Sequence, residues 1–253
     1  MPAPLLEHFQ RFAADPASDE LAAALLVNKV LDATVDMASV RAEVELLADA
    51  CPDDVEPWSY LREQGFAGNR SDYVALANSC LDVVLRTRMG IPISLGVLLV
   101  HVARRRGHEA RGIDFPGHFL ARVDDVLVDP FALRAVTEEE CIDGMTTQRP
   151  DGDLFEIATS RMIALRMMNN IKLQQMSTAR WDELLDVLDY QLVLAPNEAR
   201  LYFERGEAWE QLGVPDLAKA AYADAERVAH DPRIESVTRK KIEALDDDST
   251  IWN

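Results

Sequence analysis

The chain has 253 residues, of which 48% are apolar and 28% charged, a globular composition with length enough for a substantial core rather than a disordered one. Acidic residues outnumber basic ones 44 to 26, leaving a formal charge of −18, which repels phosphate backbones and anionic lipid and argues against nucleic acid and membrane surfaces as partners. The three cysteines, Cys51, Cys80 and Cys141, form no CxxC pair, which points to a reducing, cytoplasmic setting.

Residues 1 to about 70 read as helices. Met1–Gln10 has neither a basic n-region nor an apolar h-region, so no signal peptide is expected. Leu5, Leu6, Phe9 and Phe12 share one helical face. Ser18 or Asp19 caps the next run, with Leu21, Leu25 and Val27–Leu31 as its apolar face. A third helix is expected from Asp36 to Ala50 before Pro52, and a short one over Glu56–Gln64 before Gly65. Gly65–Asp72 reads as a polar loop.

Asn78 or Ser79 is placed to cap a helix ending near Arg88, where Gly90-Ile91-Pro92 interrupts it. A further helix opens at or near Ser94 and closes on Arg104-Arg105-Arg106 and Gly107, the arginines complementing its C-terminal dipole. The near-apolar run Ile91–Ala103 inside it is interrupted by Ser94 and His101 and is too short to span a bilayer. After Gly107 the period changes to two. Ala110–Phe115, His118–Val123 and Val126–Phe131 read as strands, with Asp124-Asp125 as a tight turn.

From about residue 155 the pattern is helical again. Tyr202, Gly206, Trp209, Gly213, Ala218, Tyr222 and Ala225 follow the large–small–aromatic, turn, small–aromatic–small order of a tetratricopeptide hairpin. About 34 residues earlier, Met168, Leu184, Leu188 and Pro196 repeat the pattern weakly, with Lys172 where a small residue belongs.

His118 and Asp129 are the constellation with chemical potential. A two- or four-residue loop at Asp124-Asp125 pairs Val123 with Val126 and Leu120 with Asp129, so that His118 and Asp129 share one sheet face. A three-residue loop separates them. Together they would form the base and orienting carboxylate of a triad; the alternatives are a turn histidine and an aspartate capping the following Pro-Phe turn. His101 and His108 lack metal-ligand spacing, no HExxH is present, and no glycine-rich phosphate loop occurs, so neither metal nor cofactor is expected.

The strings Asn78-Ser79, Arg88–Leu95 (with Gly-Ile-Pro-Ile-Ser), Phe115–Leu120 (with Pro-Gly-His-Phe) and Val128–Phe131, with Leu165–Lys172, resemble the SirB-type transglutaminase-like proteins. The resemblance covers roughly residues 40 to 232. It implies a papain- or transglutaminase-like α+β core with a small antiparallel sheet over residues 71–155; with the residue patterns above, the whole chain is expected to be α+β and predominantly helical, with residues 1–70 a helical region packing on the core, 156–245 tetratricopeptide-type helices and 246–253 a flexible tail. It also implies that a cysteine should open the helix facing His118, where the helix N-terminus would lower its pKa. No cysteine stands there.

Ser94 then has three readings: a helix cap, a serine nucleophile activated by His118, or a ligand-binding group without turnover. Cys80, on the preceding helix, is the alternative nucleophile or a buried small hydrophobe. Cys51 and Cys141 have no base partner within the sequence pattern. Asn78 is a helix cap or lines the pocket near His118, and Phe119 is core or a substrate platform. The expected function is a protein-binding regulatory module with little or no turnover, engaging a protein or peptide through residues 160–232. The alternative is a hydrolase or acyl-transferase acting on amide or thioester bonds through Ser94, or Cys80, with His118 and Asp129.

Overall fold

The structure is a computed structural model and describes residues 3–145 and 152–250. The chain divides into two compact units, one of residues 15–167 and one joining the first helix to everything from Met168 onward.

The larger unit grows around one apolar helix. α2 (Glu20–Leu31) begins at Asp19, whose carboxylate accepts the Ala22 N–H at 2.7 Å; α1 (Ala3–Ala14) precedes it and belongs to the other unit. α3 (Met37–Asp49) begins in the same way at Asp36, and α4 (Pro57–Glu63) carries its proline in the first turn, where the missing N–H costs nothing. The expected loop after Gly65 contains β1 (Ala67–Gly68), which pairs in parallel with β2 (Met89–Gly90).

Between those short strands lie a 3-10 turn, Leu76–Ser79, and α5 (Leu81–Thr87). Neither Asn78 nor Ser79 caps α5. The buried Asn28 of α2 does: its Oδ1 accepts the Leu81 N–H at 2.5 Å while its Nδ2 donates to Asp82 at 2.5 Å. The cap therefore comes from more than fifty positions away, beyond the reach of any local sequence rule.

α6 (Pro92–Arg105) opens at Pro92, two residues before Ser94, and Pro92–Val100 is buried without interruption. Its C-terminal arginines leave the core in three directions. Arg104 forks onto Glu20 at 2.6 and 2.8 Å, Arg105 reaches Asp49 at 2.5 Å, and Arg106 pairs with Asp53.

Against α6 lies a four-stranded antiparallel sheet in chain order, β3 (Ala110–Ile113), β4 (Leu120–Val123), β5 (Val126–Asp129) and β6 (Arg134–Ala135). Val123 faces Val126 across the two-residue Asp124-Asp125 turn, with Asp124 at φ 50°. Phe119 is 2% exposed and fills the space above two glycines: a Cβ on Gly96 or Gly112 would stand 2.5 or 2.6 Å from its ring. α7 (Glu138–Asp143) follows, fixed by a reciprocal cap in which Thr137 Oγ1 accepts the Glu140 N–H and the Glu140 carboxylate accepts the Thr137 N–H.

α8 (Ser160–Ser177) carries the chain across the division between the units, which falls between Met167 and Met168. The second unit then consists of the end of α8, α9 (Trp181–Leu194), α10 (Ala199–Gln211), α11 (Pro215–Val228) and α12 (Pro232–Thr250), joined by α1. α1 groups here, rather than with the helices up to residue 70, because Phe9 stacks on Tyr190 with ring centroids 4.8 Å apart. α10 and α11 form a tight hairpin across Gly213 at φ 71°, with Ala218, Tyr222 and Ala225 buried on α11. Lys172 of α8 is buried and donates to Glu204 of α10 at 2.5 Å.

α12 continues through Asp246–Thr250, so helical backbone extends into the stretch expected as a tail, and residues 251–253 lie outside the described ones. Among the described residues, no helix is long and apolar enough to cross a membrane.

A Cβ at Gly206 would stand 2.4 Å from the fully buried Tyr222 ring. Gly206→Ala should therefore destabilise the chain by about 1–3 kcal/mol through overpacking, offset in part by the helix preference of alanine, about 1 kcal/mol. Urea denaturation should show a lower midpoint; an unchanged or higher one would remove the close approach of α10 and α11.

Candidate functional site

His118 does not begin a strand. It closes a turn in which its N–H donates to the Phe115 carbonyl at 3.0 Å and Gly117 takes φ 75°, and β4 starts two residues later. The turn carries the imidazole over the end of β5, where Nε2 stands 3.0 Å from Asp129 Oδ1. Asp129 also accepts the Phe131 N–H at 2.9 Å, so one carboxylate both holds the histidine and caps the Pro130-Phe131 turn. The catalytic and structural alternatives for this aspartate are thus made by the same atoms.

Burial pushes the Asp129 carboxyl up, but the hydrogen bond and charge of His118, with the N–H groups of Phe131 and Ala132, outweigh it and leave it below its ordinary value. In the neutral imidazole, a carboxylate on Nε2 favours the tautomer with the proton on that nitrogen and the lone pair on Nδ1. Nδ1 has no hydrogen-bond partner among the described residues. Both side chains keep some solvent access, 33% for His118 and 20% for Asp129. They line a cleft of about 330 Å³ whose other walls include Pro116, Arg134, Glu140 and Cys141.

Ser94 does not enter that cleft. It is 0% exposed and stands in the first turn of α6, after Pro92. Its hydroxyl donates to the Asn78 carbonyl at 2.7 Å and accepts the Ile91 N–H at 3.1 Å. Ser94 thus caps α6 from inside the helix, holding the N–H of the preceding residue and tying it to the 3-10 turn. A hydroxyl so committed is a poor nucleophile, because its proton is held by a backbone carbonyl instead of a base and one of its lone pairs accepts a backbone N–H.

Cys80 is also buried, with Sγ 3.8 Å from the Leu76 carbonyl. Burial, reinforced by the charges of Asp82 and Asp32, pushes its thiol up to about 12. It stays protonated at neutral pH and lies outside the cleft lining.

The two residues considered for substrate binding are likewise elsewhere. Asn78 donates from Nδ2 to the Asp72 and Tyr73 carbonyls at 2.6 and 3.1 Å and accepts from Asn69 Nδ2 at 2.9 Å, which organises the loop before the 3-10 turn. Phe119 is sealed beneath Gly96 and Gly112. Both carry structure rather than a cleft surface.

Cys141 is the residue that sequence reasoning passed over. Chain spacing hides its relation to His118, because the connection runs through β5, β6 and the start of α7. One signal is available: Thr137-x-x-Glu140 is a capping-box string, which marks a helix start at Glu138 and puts Cys141 just past the first turn. Among the described residues, no cluster of three or more histidine, cysteine or acidic side chains is arranged to hold a metal ion.

Two outcomes follow. Ser94→Ala should cost about 1–3 kcal/mol by leaving the Ile91 N–H and Asn78 carbonyl unpaired in the core, read as a lower denaturation midpoint. For Asp129, the folded carboxyl lies below its ordinary value and the unfolded one at about 3.9, so its stabilisation is present above about pH 4 and fades as pH falls through the folded value. Asp129→Asn should be less stable than the parent at pH 7, with the difference narrowing below about pH 4. A gap independent of pH would mean that the ionised carboxylate contributes nothing.

The family model described as the transglutaminase-like superfamily matches residues 36–169. A UPF0162 protein of Xylella fastidiosa (strain Temecula1) is 34% identical over 205 residues, covering 72% of this chain and 73% of that protein. A UPF0162 protein of Vibrio cholerae serotype O1 is 25% identical over 253 residues, covering 90% of this chain and 93% of its own length. Human F-box only protein 21 is 28% identical over 194 residues, which is 70% of this chain but 30% of that protein. No solved structure matches the chain. The matched span holds α6, the sheet and the His118–Asp129 pair, and the chain belongs to the transglutaminase-like superfamily, with the UPF0162 proteins as relatives.

Proposed function

We propose that this protein is a SirB-type, cytoplasmic regulatory module that binds a protein partner through tetratricopeptide-like helices, and that neither Ser94 nor Cys80 gives it turnover. The observation that carries the reading is a groove between α10 and α12. Its walls are Phe203, Ile234 and Val237, flanked by Arg200 and Arg233, and it encloses about 310 Å³.

Both arginines are largely exposed, while their anionic partners are Glu204, which is buried, and the neighbouring Asp231. On a chain with a formal charge of −18, an apolar groove flanked by two guanidinium groups is chemically distinct. It suits a peptide or helix that presents an apolar side chain beside carboxylates. The Gly206–Tyr222 approach supports the tetratricopeptide reading of the hairpin, since the small residue permits close helix pairing and the aromatic fills it.

The hydrolase reading through Ser94 loses support from the buried hydroxyl bonded to Asn78 and Ile91, and through Cys80 from the high thiol pKa. The free cysteines fit a reducing compartment.

Affinity capture with the full chain should recover a protein partner that the double variant Arg233→Glu, Val237→Asp retains at least about tenfold less well, equivalent to ~1.4 kcal/mol. His118→Gln should capture it normally. A partner indifferent to the groove variant, or no partner under sensitive detection, would sink this reading.

A further inference from the structure

The cleft beside His118 contains a thiol. Cys141 lies one residue after the reciprocal Thr137–Glu140 cap of α7, and its side chain packs, partly buried, on the apolar cluster that contains Phe115, Leu120 and Leu127. Cys141 lines the same cleft as His118 and Asp129. It is close enough for the charge of Asp129 to act on it; burial first, then Asp129 and Glu140, push its thiol up, against the opposing pull of Arg134.

The three groups have complementary states. The thiol is neutral and needs a base before it can act. Asp129 holds Nε2 of His118, and Nδ1, which makes no hydrogen bond to a described residue, offers its lone pair in the neutral tautomer that this contact favours. Cys51, by contrast, is buried with its Sγ 3.7 Å from the Pro52 carbonyl, and Cys80 lies beneath the 3-10 turn. Of the three cysteines, only Cys141 lines this cleft.

We propose that Cys141 is an acyl-accepting thiol, with His118 as its base and Asp129 orienting the imidazole, and that the cleft takes small thioesters. In the step, Sγ attacks the thioester carbonyl carbon while its proton passes to His118 Nδ1. The donor's C–S bond then breaks, and the departing sulfur takes the proton from His118. The products are an S-acyl Cys141 and a free thiol, with no change in oxidation state. A thioester suits this cleft because exchange between two thiols is nearly balanced in energy, whereas an amide would require a far poorer leaving group to depart. The inference does not depend on the α10–α12 groove, and either can fail without the other.

The test uses the full chain and the acetyl thioester of N-acetylcysteamine, followed by intact mass and peptide mapping between pH 6 and 9. Acetylation is expected at Cys141 ahead of Cys51 and Cys80, and Cys141→Ser should abolish the fast phase. His118→Gln should slow it by about a hundredfold and flatten its pH profile. Added imidazole should restore part of the rate in His118→Gly, a readout that a purely structural role for His118 would not give. Acetylation of Cys141 no faster than the other two thiols would overturn the proposal. So would a rate unchanged in His118→Gln, or a slow His118→Gly that imidazole leaves slow while its circular dichroism matches the parent.

Discussion

The burial of α6 is the constraint from which the larger unit follows. A helix with Pro92–Val100 wholly enclosed gains apolar burial on every side, but it must satisfy each polar group without water. Ser94 meets that demand at the N-terminal end by bonding Ile91 and Asn78. At the other end the arginines carry their charges out to Glu20, Asp49 and Asp53. The same helix reaches the cleft indirectly. Phe119 packs over Gly96, and Pro130 lies 3.4 Å from where that residue's Cβ would be. Each is the chain neighbour of a member of the His118–Asp129 pair, so α6 positions the pair without touching it through a polar group.

Much of this is legible in the sequence. Asp19 and Asp36 announce their helices because a short acidic side chain can bond the first-turn N–H groups of its own helix. The Val123–Val126 register follows from alternation and a two-residue turn. Local rules failed where the determining partner was distant. Asn28 caps a helix in another part of the chain, and Phe9 sorts the first helix with Tyr190 instead of with its sequence neighbours. Ser94 was a cap candidate for the right chemical reason but at the wrong position, since Pro92 already supplies a first helical residue that needs no N–H partner. Cys141 was illegible as a cleft residue because its proximity to His118 depends on the β5–β6 connection.

Transglutaminase-like architecture and thiol placement are separable in this chain. The His118–Asp129 contact and the packing of α6 against the sheet need no thiol at the helix start, and proline occupies that first turn. Two cysteines are absorbed into the core, where burial keeps them protonated. A scaffold that fixes an imidazole and a carboxylate through backbone turns can retain both regardless of which element supplies the group opposite, because Asp129 is also required to close the Pro130-Phe131 turn.

The Lys172–Glu204 pair has a bearing on how sequences of this kind can drift. Both side chains are less than one-tenth exposed, so losing Glu204 alone strands the buried Lys172 ammonium at about 3–5 kcal/mol, a large share of the stability of most domains, whereas losing Lys172 leaves Glu204 paired with Arg200 at 2.9 Å. Losing both to apolar residues of similar volume carries no such cost. Substitution at position 204 is therefore gated by position 172, and descent should pass through few sequences that hold the lysine without the glutamate. Relatives that align over both positions and keep the lysine are expected to keep the glutamate with it.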